Sequence, residues 1–313
     1  MGDLSKIDIN KPRWDQSTYI GRAKYYFTIT NPLNLFTTSK TLENARTIVE
    51  KHRNKEKLDI TEDELWKAKH LYDSAFHPIT GEKQALVGRM SCQVPGNMAI
   101  NGGMITYHQS TSAVVFWQWI NQSFNAIVNY TNRSDATMTV TQIGVAYVCA
   151  TTGAIVTALY LKKRLQRAHP IIRRYVPFFA VAAANCINIP IMRNQELREG
   201  IRIFNEKDKD IGTSKIAARS ATAQVVFSRI IMAIPSLMLT PIILQEMSKR
   251  CLLTKPWAEP VVATGLCGLI LTFATPLACA LFIQRVPVKA SHLEPHIQEK
   301  VGKDGIVFYN KGL

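Results

Sequence analysis

The long apolar stretches of this 313-residue chain contain no aspartate or glutamate. That absence removes the carboxylates from which proton relays and buried cation sites are built in apolar surroundings. The six cysteines form no CxxC pair, and the seven histidines form no cluster, so no metal site is expected. No nucleophile–base arrangement stands out either, which argues against an enzyme and against any cofactor. Gly81-Glu82-Lys83 lacks the GxxxxGK[ST] frame of a phosphate loop. Residues 1–30 lack the apolar core of a secretory signal, and Asp3, Asp8 and Asp15 are foreign to an acid-poor transit peptide, so an internal targeting signal is expected.

What is present divides sharply. The chain is 47% hydrophobic and 19% charged, an average of two unlike parts. Residues 1–83 hold 14 Lys and Arg and 12 Asp and Glu. Beyond them, short charged clusters separate apolar runs near the roughly 20 residues that cross about 30 Å of hydrocarbon. Five runs qualify: 85–107, 140–161, 175–192, 223–244 and 260–283. The sequence therefore predicts an all-α, polytopic membrane protein. A polar helical region would cover 1–83, a transmembrane domain 84–283, and a C-terminal tail 284–313. Residues 112–130 carry Gln118, Asn121, Gln122, Asn125 and Asn129 at helical spacing on an otherwise apolar helix. Such a helix either lies in the interface or lines an aqueous path; the interface is favoured, and a crossing would change the parity of the topology.

With five spans the N-terminus shares a side with loop 162–174, which holds Lys162, Lys163, Arg164, Arg167, Arg173 and Arg174 and no acid. The excess of positive charge places that side, and the N-terminus, on the inner side of the membrane, with the tail on the opposite side. The net charge of +15 resides largely in loops, which suits anionic lipid headgroups. Nucleic acid is a poor partner for basic residues divided among separate loops.

Within 1–83 the pattern predicts helices over 41–54 and 61–76. The second opens on Thr61-Glu62-Asp63-Glu64, a capping box. The run His77–Lys83 reads as a turn.

Polar residues inside apolar spans serve as packing contacts or mark a solute path. The first span carries Gln93, Asn97 and Asn101 around Pro95, and the third carries Asn185 and Asn188 beside Pro190. Proline frees a backbone carbonyl one turn back, so Pro95, Pro190, Pro235 and Pro276 are expected to break helices and offer backbone groups to a small polar solute. Arg89 and Arg229 lie near the starts of their spans, where they can snorkel; Arg229 is also a candidate partner for a solute carboxylate. The candidate substrate-binding set is thus Gln93, Asn97, Asn101, Asn185, Asn188 and Arg229, with no catalytic or metal-binding residue.

Several motifs together resemble the sideroflexins: Trp14-Asp15-Gln16-Ser17-Thr18, the His77–Lys83 run, Gln93-Val94-Pro95, Phe116-Trp117-Gln118-Trp119, Asn185-Cys186-Ile187-Asn188-Ile189-Pro190 and Tyr309-Asn310-Lys311-Gly312-Leu313. The resemblance covers essentially the whole chain and is strongest to the branch holding sideroflexins 1 and 3. It implies the mitochondrial inner membrane, about five spans, an N-terminus in the matrix, and transport of serine, with alanine and cysteine as further candidates, feeding one-carbon metabolism. Two positions depart from the family pattern: Ile79 stands where an aspartate is usual, and Gly96 precedes Asn97. The family has also been assigned tricarboxylate transport, and a non-transporting scaffold affecting iron or haem homeostasis is the alternative from another class.

Overall fold

Thr61 accepts a hydrogen bond from the Glu64 amide while the Glu64 carboxylate accepts one from the Thr61 amide at 2.8 Å, so the expected capping box forms. In the computed structural model, which describes residues 7–77, 80–131, 140–165, 167, 169–206 and 209–312, this box opens α3 (Glu62–Ala75). Before it come α1 (Tyr19–Ile29) and α2 (Ser39–Arg53). Leu42 and Val49 of α2 meet Leu65 and Tyr72 of α3 in a small apolar core with Phe76. Of the turn that follows, His77 and residues 80–83 are described; Pro78 and Ile79 lie outside the described residues. Gly81 has φ +67°, a conformation that favours glycine, and the His77 amide donates to the Glu82 carbonyl at 2.8 Å. Removing the cap with Thr61→Ala should weaken the first turn of α3 by about 1 kcal/mol, which amide hydrogen exchange at Glu64 in the intact protein would register as a severalfold rise.

The remaining helices are α4 (Gln93–Thr106), α5 (Thr111–Thr131), α6 (Val140–Arg164), α7 (Pro170–Arg173), α8 (Val176–Met192), α9 (Asn194–Glu199), α10 (Lys215–Ile234), α11 (Thr240–Lys249), α12 (Ala258–Cys279) and α13 (Pro295–Val301). Three helical stretches are long and apolar enough to cross a membrane: Thr141–Arg164, Lys215–Lys249 and Ala258–Cys279; Val176–Met192 is shorter but apolar. The first expected span is not one helix. Two 3₁₀ turns, Leu86–Gly88 and Met90–Cys92, precede α4, whose 14 residues cover only about 21 Å.

The expected all-α fold needs correcting. Four short strands, β1 (Ile201–Phe204), β2 (Asp210–Ser214), β3 (Arg285–Lys289) and β4 (Ile306–Asn310), pair antiparallel in the order β2-β1-β4-β3. The expected tail thus forms half of a sheet and the segment between α9 and α10 the other half. Pro287 is accommodated because β3 is an edge strand. Ile203, Val307 and Tyr309 bury their side chains against Ala217, Ala218 and Ala221 at the start of α10 and against Ile297 of α13. The Glu294 carboxylate caps α10 by accepting from the Lys215 and Ile216 amides at 2.7 and 3.0 Å.

Helix contacts define the course of the chain through the bundle. Gly102 lies against Thr264 and Gly268 against Met98, so α4 and α12 are antiparallel. Gly96 abuts Phe124 and Gly103 abuts Trp117, so α5 returns along α4. Lys162 donates to the Gln109 carbonyl and to the Thr111 hydroxyl, and Ser123 bonds Tyr147, so α6 runs back along α5. Helix α5 therefore makes a full pass of the bundle rather than lying across its end. Tyr19 donates to the Leu277 carbonyl and Arg22 to the Ala280 carbonyl, which places α1 at the same end as the sheet and away from the basic 162–174 loop. The helix α1 and the sheet that takes in the tail therefore share one end of the bundle.

Candidate solute-binding layer

Helix α5 turns its polar stripe inward because its opposite face carries large exposed apolar groups, Phe116, Trp119 and Ile127. Gln118, Asn121 and Gln122 are 1%, 3% and 3% exposed. The Gln118 amide donates to the Met104 sulfur at 3.4 Å. Its Oε1, the Asn121 Nδ2 and the Gln122 Nε2 have no hydrogen-bond partner among the described residues, and neither has the buried Thr151 hydroxyl on α6. Buried amides without partners are costly, of the order of 1–3 kcal/mol each, so three on one helix face require an explanation. The stripe is visible in the sequence, where the interface is the expected place for it; the signal for an inward face is the density of amides, which an interfacial helix does not need.

Register brings other helices to the same height. Ser123 bonds Tyr147 at 2.9 Å, Gly96 meets Phe124, and Gly153 meets the tip of Ile187. Asn97 of α4, Asn121 and Gln122 of α5, Thr151 of α6 and Asn188 of α8 therefore stand at similar heights midway along the bundle, with Asn185 of α8 about a turn nearer the basic-loop end. Asn188 is buried and Asn185 half-buried. Glycine at 96 and 103 is required for this closeness, since a Cβ there would fall 2.5 Å from the Phe124 ring and 2.2 Å from the Trp117 ring.

The expected site residues on α4 have partners of their own. Asn97 donates to the Gln93 carbonyl and side-chain oxygens at 2.8 and 3.1 Å, a contact within one helix. Asn101 donates to the Ser236 hydroxyl at 3.0 Å and ties α4 to the segment between α10 and α11. That segment, Pro235–Leu239, is a π-helical turn. Pro235 and Pro241 each withdraw an amide donor, and the ladder between them is widened rather than broken. Thr240 and Cys267 approach there at 3.6 Å. The other three prolines do not break helices. Pro95 occupies the first turn of α4, where its missing amide would have had no partner. Pro190 and Pro276 sit inside continuous α8 and α12.

A narrow cleft at the basic-loop end is lined by Met104, His108, Trp117, Gln118, Val176 and Pro177 among others. Gln118 belongs both to its wall and to the inward stripe. Arg89 donates to the Gln84 carbonyl and anchors the chain ahead of α4. Arg229 stands apart from the layer; it is half-buried near the sheet, within electrostatic reach of Cys279 and Lys311. The described residues hold no group of three or more His, Cys, Asp or Glu side chains placed to bind a metal.

The sideroflexin family model matches residues 8–313. Sideroflexin-3 of Mus musculus is 52% identical over 321 residues, covering 100% of both chains. Sideroflexin-1 of Sus scrofa and of Homo sapiens are each 52% identical over 314 residues, covering 98% of both chains. No solved structure matches the chain. A match of family model and relatives along the whole chain, joined to three helices able to cross a bilayer, makes this protein a membrane protein that belongs to the sideroflexin family.

Proposed function

We propose that the protein carries a small neutral amino acid across the mitochondrial inner membrane, with serine as the leading substrate, alanine and cysteine next, and one-carbon metabolism as the destination. The observation that supports this most is the unpartnered amide set of α5: Gln118 Oε1, Asn121 Nδ2 and Gln122 Nε2. An amino acid brings an ammonium, which an amide oxygen can accept from, and a carboxylate, to which amide NH groups can donate. A serine hydroxyl can both donate and accept, and so fits a layer that offers both kinds of atom. With no acid in the apolar segments, the step from one face to the other proceeds as exchange, without a coupled proton or metal cation. The π turn at Pro235–Leu239, held to α4 through Asn101 and Ser236, supplies a hinge at the height of the layer.

Labelled serine should enter vesicles that contain only this purified protein, and labelled citrate should not, because a neutral amide layer has no cations to hold three carboxylates on the way across. Uptake no faster than in empty vesicles would remove the reading; citrate uptake as fast as that of serine would replace it with the organic-anion alternative.

A further inference from the structure

Past β4 the chain turns inward. The Lys311 amide donates to the Gln284 carbonyl at 2.8 Å, and the Arg193 guanidinium donates to the Lys311 carbonyl at 2.9 Å. Held from both sides, Lys311 is 3% exposed, and its Nζ lies 5.6 Å from the centre of the Phe282 ring. Phe282 in turn meets Phe227 of α10 edge-on at 6.1 Å. Arg229 follows on the same helix and comes within electrostatic reach of Lys311 and of Cys279.

The four cations gathered here are not equivalent. Arg22 donates to the carbonyls of Ala280, Gln16 and Ser17, and Arg193 is paired with Glu196. Arg229 and Lys311 have neither a hydrogen-bond acceptor nor a carboxylate partner among the described residues. Two uncompensated cations side by side in an apolar setting are destabilising unless an anion joins them. A second orphan stands beside them. Gln284 Oε1 is buried without a partner, while its amide nitrogen is fixed by donation to the Tyr26 hydroxyl at 2.9 Å.

We infer that Arg229, Lys311 and Gln284 form a second binding station at the sheet end of the bundle, which takes a free amino acid by its carboxylate and ammonium before the amide layer receives it. The two cations meet the carboxylate, Gln284 Oε1 accepts from the ammonium, and the Phe282 ring forms the apolar wall. The station is distinct from the layer: Arg229 precedes Ser236 by seven residues, about 10 Å along the helix, too far for one small amino acid to touch both. This inference rests on the amino-acid reading above and adds where the solute is first held.

Lys311 also gives the station a pH signature. Burial lowers its ammonium to about 8, with Cys279 opposing the shift and Arg229, Arg193 and Arg22 reinforcing it. As pH rises through that value Lys311 loses its charge, and the hold on a carboxylate weakens.

The test uses the full chain in vesicles of phosphatidylcholine alone, with Lys311→Met, Arg229→Met and Gln284→Leu measured beside the wild type. Each cation variant should raise the KM for serine about tenfold, the scale of one lost charge-assisted hydrogen bond. Thermal stability should stay equal or rise, since an apolar near-isostere removes an uncompensated charge. Lys311→Arg should keep a low KM, and the rise in wild-type KM between pH 7 and 9 should vanish in Lys311→Met. Glycerate, which keeps the carboxylate, should shift the thermal midpoint of the wild type but not of the double cation variant, and ethanolamine should shift neither. An unchanged KM in folded variants would overturn the inference while leaving serine transport standing. A KM effect seen only after anionic phospholipid is added would overturn it in favour of a lipid phosphate at the same cations. Should the wild type take up no serine, the transport reading fails by itself, and the glycerate shift still decides whether the cations bind a small carboxylate.

Discussion

Replacing Gln118, Asn121 and Gln122 together by leucine should abolish serine uptake, by at least about tenfold at equal protein in the vesicles, while thermal stability stays the same or increases. The two effects have opposite signs for one physical reason. Each of the three side chains buries an amide atom with no partner, a cost of the order of 1–3 kcal/mol that a leucine of similar size does not incur. A group kept at that cost is kept for what it binds. If the amides served only to hold helices together, the triple variant would lose stability and the surviving folded fraction would transport normally. That outcome would sink the solute-layer reading. Single variants refine the result: Gln118→Leu also forfeits the contact to Met104, so its gain in stability should be the smallest of the three.

The second large effect belongs to the sheet. Ile203 is fully buried and pairs with Gly212 on one side and Tyr309 on the other, at the point where the internal loop meets the C-terminal segment. Ile203→Ala should cost about 2–4 kcal/mol of local stability, from the lost transfer energy and the cavity left behind. The expected readout is faster limited proteolysis between residues 205 and 210 and within 285–310, with the helices of the bundle unaffected. Cleavage at the wild-type rate would mean that the two halves of the sheet do not support each other. Because Lys311 follows β4 directly, the same variant should also raise the KM for serine.

How much of this was legible depended on the distance over which each feature is determined. The capping box at Thr61 was readable because its two hydrogen bonds join residues three apart. The apolar stretches were readable because hydropathy is a property of a run. Neither the sheet nor the course of α5 could be read in that way. Strands of four or five residues carry too little pattern, and β1 and β4 are about a hundred positions apart. The alternation in Ile201-Arg202-Ile203-Phe204 gains meaning only when Tyr309 lies opposite Ile203. Proline shows the same limit from the other side. The missing amide at Pro95 was visible, but its lack of consequence depends on where α4 begins, and that start is set by packing against α12 and the turns before it.

By itself, then, the sequence determined that this is a helical membrane protein with a polar N-terminal region, that its apolar segments contain no acid, and that amides stand where a solute path could run. These are properties of composition and of near neighbours along the chain. Only the tertiary structure decided that α5 passes through the bundle with Gln118, Asn121 and Gln122 facing inward, that α1 and the sheet share one end, and that Arg229 belongs with Lys311 rather than with the asparagines. Each of these depends on which face of a helix finds a partner, and a helix with one polar stripe is equally satisfied by water outside or by other helices within until the rest of the chain is in place.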